Sequence, residues 1–246
     1  MKKINWYLVF LFLIFAIFWT WATINPIYQE DWLLENYLVF IFVPIIIITG
    51  YYFRLSNTSY TLITIFMVLH IIGSHYTYSE VPFGFVLQDI FNSNRNLYDR
   101  LVHLSFGLLF AYPIREVFVR ITGAKGVWGF YFPTELILAL SAIFEFLEWF
   151  VVEITSPQAG LAFLGAQGDV WDTQKDMLLA FIGSIVAMIF VLILNLIFNK
   201  ETKREIKESI RIPKTDKPMG EVKIKSWIKN IKDKEHRKLY KTSSPK

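Results

Sequence analysis

Long apolar runs alternate with short polar stretches over the first 200 residues of this 246-residue chain. A transmembrane helix needs about 20 mostly apolar residues to cross a hydrocarbon core about 30 Å thick. Six runs approach this length, and each predicts a membrane-spanning helix. The predicted spans are Trp6–Thr23, Tyr37–Phe53, Tyr60–Tyr78, Asp99–Phe118, Pro133–Glu153 and Asp176–Phe198. We therefore expect an all-α, multi-pass transmembrane bundle of six helices.

The composition favours a membrane protein and excludes several kinds of site. Hydrophobic residues make up 54% of the chain and charged residues 19%, whereas a soluble domain carries about 45–50% apolar and about 25% charged residues. Cysteine is absent, which excludes disulfides, thiolate catalysis and Cys-ligated zinc. The first apolar run follows two lysines but is long and aromatic, without an A-x-A-like cleavage site, so we expect a retained anchor rather than a signal peptide.

The basic residues are concentrated in the last part of the chain. Residues 200–246 hold 16 of the 25 Lys and Arg residues but only 7 of the 21 Asp and Glu residues. We therefore divide the chain into a transmembrane domain, residues 1–199, and a basic tail, residues 200–246. Loops rich in Lys and Arg stay on the cytoplasmic side. If the six spans alternate in direction, both termini are cytoplasmic.

The basic tail has features of a segment that contacts anionic inner-leaflet lipid. Its first part, 200–210, alternates charges at helical spacing and predicts a short continuation of the last span. Its second part, 221–240, places apolar residues such as Ile224 and Trp227 among many lysines. Two interpretations stay open for this second part, a basic amphipathic helix on the membrane surface and a disordered segment. No recognition motif accompanies the charge, so we expect no nucleic-acid partner. The oligomeric state is left open.

Ionisable residues of the predicted spans are concentrated near their outer ends. A charge inside a bilayer costs at least about 2.5–3.5 kcal/mol and therefore needs a partner or a function. These residues come from four spans but share one depth on the non-cytoplasmic side. We predict that they form an outward-facing polar cup and treat them as candidate catalytic residues. They are His70, Asp99, His103, Glu145, Glu148, Asp172 and Asp176.

Small residues follow the ionisable ones on the same helix faces. Asp99 and His103 lie four residues apart, and Gly107 continues their face one turn deeper. Asp176 is followed on its face by Ala180, Gly183 and Ala187. Since small residues permit close helix–helix approach in lipid, we predict tight packing of the helices beneath the cup.

Each polar residue also has a structural interpretation. Asp99 and Arg100 suit an interfacial ion pair, and Thr173 with Asp176 matches a helix capping box. His75 points about 140° away from His70 on a regular helix, so only one of these two histidines can face the cup.

Four polar strings together resemble one family. They are His70-Ile-Ile-Gly-Ser-His-Tyr-Thr-Tyr78, Tyr98-Asp-Arg-Leu-Val-His103, Glu145-Phe-Leu-Glu-Trp149 and Gln167-Gly-Asp-Val-Trp-Asp-Thr-Gln-Lys-Asp-Met177. The chain resembles the YjdF-like family of predicted bacterial inner-membrane proteins over about residues 6–198. This resemblance implies a multi-pass protein of the bacterial cytoplasmic membrane.

A more distant resemblance concerns two of these strings. The chain is similar at two places to the VanZ-like proteins linked to glycopeptide resistance. One is Asp99-Arg-x-x-His103, and the other is Asp176 followed seven residues later by Gly183. Where that family is expected to have Asn four residues after the Asp, this chain has Ala180.

Three functions suit the predicted cup. The first is an enzyme that uses imidazole and carboxylate groups for acid–base chemistry on a lipid head group or a lipid-linked cell-wall precursor. A divalent metal could assist it, with His70, His103, Glu145, Glu148 and Asp176 as candidate ligands. The second is a proton-coupled transporter, although the inner halves of the spans are almost wholly apolar. The third is a non-catalytic lipid-binding or resistance module.

Overall fold

The computed structural model of the chain describes residues 5–154, 165–211 and 221–242. Every regular element in these three ranges is helical, which confirms the predicted all-α class for them. The N-terminal Lys2 and Lys3 and parts of the basic tail, residues 212–220 and 243–246, lie outside the described residues.

Nine α-helices and one 3₁₀ turn make up the described part of the chain. The helices are α1 (Trp6–Ala22), α2 (Gln29–Tyr52), α3 (Asn57–Tyr76), α4 (Pro82–Ile90), α5 (Tyr98–Thr122), α6 (Trp128–Ile154), α7 (Asp172–Phe198), α8 (Thr202–Ser209) and α9 (Glu221–Thr242). The 3₁₀ turn, Tyr78–Glu80, connects α3 to α4. The six predicted spans correspond to α1, α2, α3, α5, α6 and α7.

Four helices in the described ranges, α2, α3, α5 and α7, are long and apolar enough to cross a membrane. They confirm four of the six predicted spans in length and composition. Helix α1 is apolar but has only 17 residues. Many large apolar side chains of these helices are exposed, for example Ile41, Ile47 and Phe190. Such a surface suits contact with lipid rather than with water.

Helix α5 lies at the centre of the bundle, where it contacts α3, α6 and α7. Helices α1 and α2 pack on α3, and α6 also packs on α7. The α5–α7 crossing is so close that a Cβ added at Gly107 would overlap the carbonyl oxygen of Ala180, and one at Gly183 would overlap that of Leu104. The predicted packing through small residues is therefore present at this crossing.

Helix α2 begins eight residues before the predicted start at Tyr37. Asp31 and Glu35, which precede the predicted span, therefore belong to this helix, and both are buried. The acidic Glu30 and Asp31 occupy its first turn, where carboxylates interact favourably with the helix dipole. The apolar run alone misplaced this boundary because α2 starts with polar residues.

The tail differs from the prediction at its start. Asn199 has an extended backbone with φ −117° and ends α7, so residues 200–210 do not continue that helix. They contain the separate helix α8 instead. The chain divides into two compact units, Met1–Glu208 and Ser209–Lys246, and α8 belongs to the first apart from its last residue, Ser209. In the second unit α9 is helical, which favours the helical interpretation of residues 221–240 over disorder.

Candidate functional site

The histidine of helix α5 lies between two carboxylates. His103 Nε2 is 3.5 Å from Oδ1 of Asp99, one turn earlier on α5, and 3.7 Å from Oε1 of Glu145 on α6. The side chains of His103 and Glu145 are only 10% and 4% exposed. An imidazole beside two acids can exchange protons with a bound molecule, and the acids stabilise its charged form.

Two arginines join α5 and the loop before it to the acids of α7. Arg100 Nη1 is 2.6 Å from Oδ2 of Asp176, and its Nη2 contacts Asp172. Arg95 also contacts Asp172, and its Nη2 is 3.5 Å from Oδ2 of Asp99. We expected Arg100 to pair with Asp99. In the structure Arg95 contacts Asp99, and Arg100 contacts the acids of α7.

Asp176 takes no part in a capping box. The N-cap of α7 is Trp171, which makes no side-chain capping bond, and Asp172 is already the first helical residue. Thr173 thus lies inside the helix, and the capping interpretation of Thr173 and Asp176 is wrong. Asp176 instead lies 2% exposed among the residues around His103 and Arg100.

The loop before α7 covers the two arginines. The amide of Gln167 and the backbone of Asn96 exchange two hydrogen bonds of 2.9 and 3.2 Å. Arg95 donates to the carbonyl of Gly165 at 3.1 Å. At the rim, Lys175 donates to Asp169 at 2.6 Å, and this hydrogen bond holds the pKa of the Asp169 carboxyl below its usual range.

His70 on α3 has partners for both ring nitrogens. Nε2 lies 3.2 Å from the carbonyl oxygen of Glu35, and Nδ1 lies 2.6 Å from the hydroxyl of Tyr78. Because a carbonyl only accepts, Nε2 donates to it; in a neutral ring Nδ1 then accepts from Tyr78. Both nitrogens are thus engaged in hydrogen bonds, and this arrangement does not favour the predicted ligand role of His70.

A turn after α3 brings Tyr78 back under His70. Thr77 has φ +62°, which is costly for a β-branched residue, and its hydroxyl donates to the buried carboxylate of Asp31 at 2.5 Å. Gly73 makes room for the returning ring, since a Cβ there would lie 2.7 Å from Tyr78. His75 points away as predicted, with its ring centroid 4.3 Å from that of Trp21 on α1.

A cavity of about 650 Å³ lies beside these residues. One end of the cavity is polar and is lined by Glu35, His70, Tyr78, Asp99, His103 and Glu148. From there it follows α5, between side chains of α2 and α3 on one side and α6 on the other. This remaining wall is aliphatic and aromatic apart from Ser141 and Thr122, with Phe42, Phe66, Phe106, Phe110, Leu140, Leu147 and Ile121 among its members. The cavity therefore joins a polar site to a long apolar cleft.

Four of the seven predicted residues line the polar end of the cavity, namely His70, Asp99, His103 and Glu148. Glu145 and Asp176 lie beside His103. The seventh, Asp172, contacts both arginines. Asp99, His103 and Asp176 each place one possible metal-ligand atom within 4.8 Å of the others. Sequence reasoning missed Glu35, Tyr78 and Arg95 as parts of the site. The spacing of Asp31 and Glu35, one helical turn apart just before an apolar run, could have indicated the first of these.

Two comparisons with known proteins give a match. The family model described as "Predicted membrane protein (DUF2238)" matches residues 7–196. Inner membrane protein YjdF of Escherichia coli K12 is 37% identical over 163 residues, which cover 65% of this chain and 77% of that protein. This relative is an inner membrane protein, which agrees with the bacterial inner membrane predicted for this chain.

No solved structure matches the chain. The resemblance to VanZ-like proteins stays a prediction. Both the extent of the family match and the identity to YjdF confirm the resemblance to the YjdF-like family, so this chain belongs to the DUF2238 family of predicted membrane proteins.

Proposed function

We propose that this protein is an integral membrane enzyme that performs acid–base chemistry on the head group of a lipid or of a lipid-linked cell-wall precursor. One observation carries the proposal. His103, held between Asp99 and Glu145, also lines the cavity whose remaining wall is apolar. A proton-transferring group thus adjoins a cleft that is suited to a hydrocarbon chain.

The proposed chemistry assigns the proton transfer to His103. A histidine within reach of a bound molecule can act as general base and then as general acid. Asp99 and Glu145 orient the ring and stabilise its charged form. Arg95 and Arg100 act through Asp99, Asp172 and Asp176, so we regard them as positioning residues.

The dimensions of the cavity support a lipid substrate. The apolar residues of its α5 wall extend from Val102 to Ile121, which corresponds to about 28 Å at 1.5 Å per helical residue. That length approaches the hydrocarbon thickness of a bilayer, about 30 Å. A lipid whose head group reaches His103 could therefore keep its chain in an apolar environment along the whole cleft.

The wall of the cleft also favours an enzyme over a carrier. Carriers hold their substrate near the bilayer midplane and usually have polar groups there. The polar residues of this cavity are concentrated at one end instead. Two further measurements identify the alternatives: flux into vesicles that contain the protein would identify a transporter, and recovery of unaltered bound lipid would identify a non-catalytic binding protein.

We further propose that six helices cross the membrane and that the tail lies on anionic lipid of the cytoplasmic leaflet. The side chains of Ile224, Trp227 and Ile228 in α9 are exposed beside several lysines. An amphipathic basic helix of this kind binds the interface of a negatively charged leaflet.

A reporter enzyme that is active only outside the cytoplasm should stay inactive when it is fused after Lys246. An even number of spans with the lysine-rich N-terminus inside requires this result. The same reporter inserted after Glu80, between α3 and α4, should be active. An active fusion after Lys246 would overturn the proposed topology, whereas the matched insertion shows that the reporter works in this protein.

Replacing His103 with Ala should lower lipid turnover by about 100-fold or more, because general acid–base groups contribute about 10²–10⁴ to the rate. The purified protein is placed in nanodiscs of phosphatidylethanolamine and phosphatidylglycerol that contain a polyprenyl-pyrophosphate-linked precursor. Products are followed by mass spectrometry.

His75→Ala is the matched control for this variant. His75 is the same residue type but lies against Trp21 and Ala22, outside the cavity. It should retain turnover close to that of the unmodified protein. Equal turnover by the His103→Ala variant would remove the acid–base proposal, as would the absence of any product from the unmodified protein.

A further inference from the structure

We propose that Asp99, His103 and Asp176, with Glu145 as a fourth ligand, bind a divalent transition-metal cation. The first three residues each place a possible ligand atom within 4.8 Å of the others. Glu145 lies 3.7 Å from the same His103 nitrogen that faces Asp99. The four side chains come from α5, α6 and α7, so one ion would connect the three helices.

Unpartnered oxygen atoms point to a missing ligand in this cluster. Oε1 of Glu145 and Oδ1 of Asp176 are buried and have no hydrogen-bond partner. Both residues are at least nine-tenths buried. An unsatisfied buried carboxylate oxygen is costly, and a cation coordinated by both would satisfy them together.

The charges around the cluster support a cation as well. Asp99, Glu145, Asp169, Asp172 and Asp176 supply five carboxylates, whereas Arg95, Arg100 and Lys175 supply three positive charges. Arg95 and Arg100 contact Asp99, Asp169, Asp172 and Asp176, whereas the ion pair of Glu145 within the described residues is with His103. A divalent ion would balance the two remaining negative charges.

The chemistry of the donors narrows the choice of ion. Carboxylate oxygens suit Mn²⁺, and an imidazole nitrogen combined with carboxylates also suits Zn²⁺ and Fe²⁺. His70 is excluded from the ligand set because both of its nitrogens are engaged. This inference rests on the proposed function for its substrate: with His103 Nε2 coordinated, the ion rather than that nitrogen would activate water or polarise a head group beside the cavity.

The site is tested by binding of Mn²⁺ alone to the detergent-purified full chain. The protein is treated with chelator, dialysed and titrated with MnCl₂, and the free ion is measured by its electron paramagnetic resonance signal. We expect one ion per chain. Asp176→Asn and His103→Ala should each weaken this binding at least 10-fold, and Zn²⁺ should compete for the same site.

Glu135→Gln is the matched control, since it neutralises a carboxylate of α6 about 15 Å along the helix from Glu145. It should leave Mn²⁺ binding unchanged. Binding that is absent from the unmodified protein, or equally strong in all three variants, would overturn the metal site. Glu145→Gln provides a second test that leaves all three clustered residues in place, and it should weaken binding without removing it.

Measurements of Mn²⁺ binding and of lipid turnover together distinguish failure of the metal site from failure of the proposed function. Lipid turnover that depends on His103 but resists chelator, in a protein that binds no Mn²⁺, would reject the metal and keep the acid–base enzyme. Stoichiometric Mn²⁺ binding without any turnover would keep the metal and reject the enzyme.

Discussion

Replacing Arg100 with Ala is expected to lower the free energy of unfolding by about 3–5 kcal/mol, the range found when one partner of a buried ion pair is removed. The Arg100 side chain is 11% exposed and lies within 3.2 Å of Asp169 and 2.6 Å of Asp176, besides contacting Asp172. Its removal leaves buried carboxylates close together without their cation. The change is measured by unfolding of the purified protein in mixed micelles.

Arg204→Ala is the matched control for this variant. Arg204 on α8 also contacts two carboxylates, those of Glu201 and Glu208, but its side chain is 67% exposed. Exposed pairs contribute about 0–1 kcal/mol, so this variant should be nearly as stable as the unmodified protein. Equal effects of the two substitutions would show that Arg100 does not hold the acids of α7 in place.

A second substitution checks the cause of the Arg100 effect. If the instability comes from unpaired acids, adding Asp172→Asn to Arg100→Ala should recover part of the lost stability. Arg95 would then have fewer carboxylates to neutralise. A further loss in the double variant would indicate that the contacts of Asp172 itself, rather than the charge balance, determine stability.

Much of the fold follows from the spacing of apolar residues. Runs of about 20 such residues have few alternatives to a helix in lipid, because every backbone group must then find a partner within its own segment. The same reasoning located Asp99, His103, Glu145 and Asp176 at one end of the bundle. The contacts among these residues agree with the reasoning that spans of alternating direction place residues from opposite ends of successive runs at one depth.

The parts that could not be predicted depend on polar contacts between distant segments. Arg95 and Asp172 are separated by 77 residues, and no pattern along the chain pairs them. Tyr78 reaches His70 only because Thr77 adopts φ +62°, a conformation that a threonine in the sequence gives no reason to expect. Glu35 was missed because the polar first turns of α2 resemble a loop.

The last prediction concerns the crossing that sets the distance between His103 and Asp176. Gly183→Val should destabilise the protein by about 1–3 kcal/mol or more, as inserting a side chain into a packed site does. A Cβ at Gly183 would overlap the Leu104 carbonyl and lie 3.0 Å from the Leu108 backbone nitrogen. Both are backbone atoms that no rotamer change can move, so α5 and α7 must separate.

That separation should affect the site as well as stability, because α5 carries Asp99 and His103 and α7 carries Asp176. Gly183→Val is therefore expected to weaken Mn²⁺ binding and to lower lipid turnover together. Gly129→Ala on α6 is the control, since a Cβ there meets its nearest atom at 3.4 Å and a helical Gly-to-Ala change gains about 0.5–1 kcal/mol. Normal stability of the Gly183→Val variant would show that α5 and α7 tolerate a wider crossing. It would contradict the claim that their close packing sets the distance between His103 and Asp176.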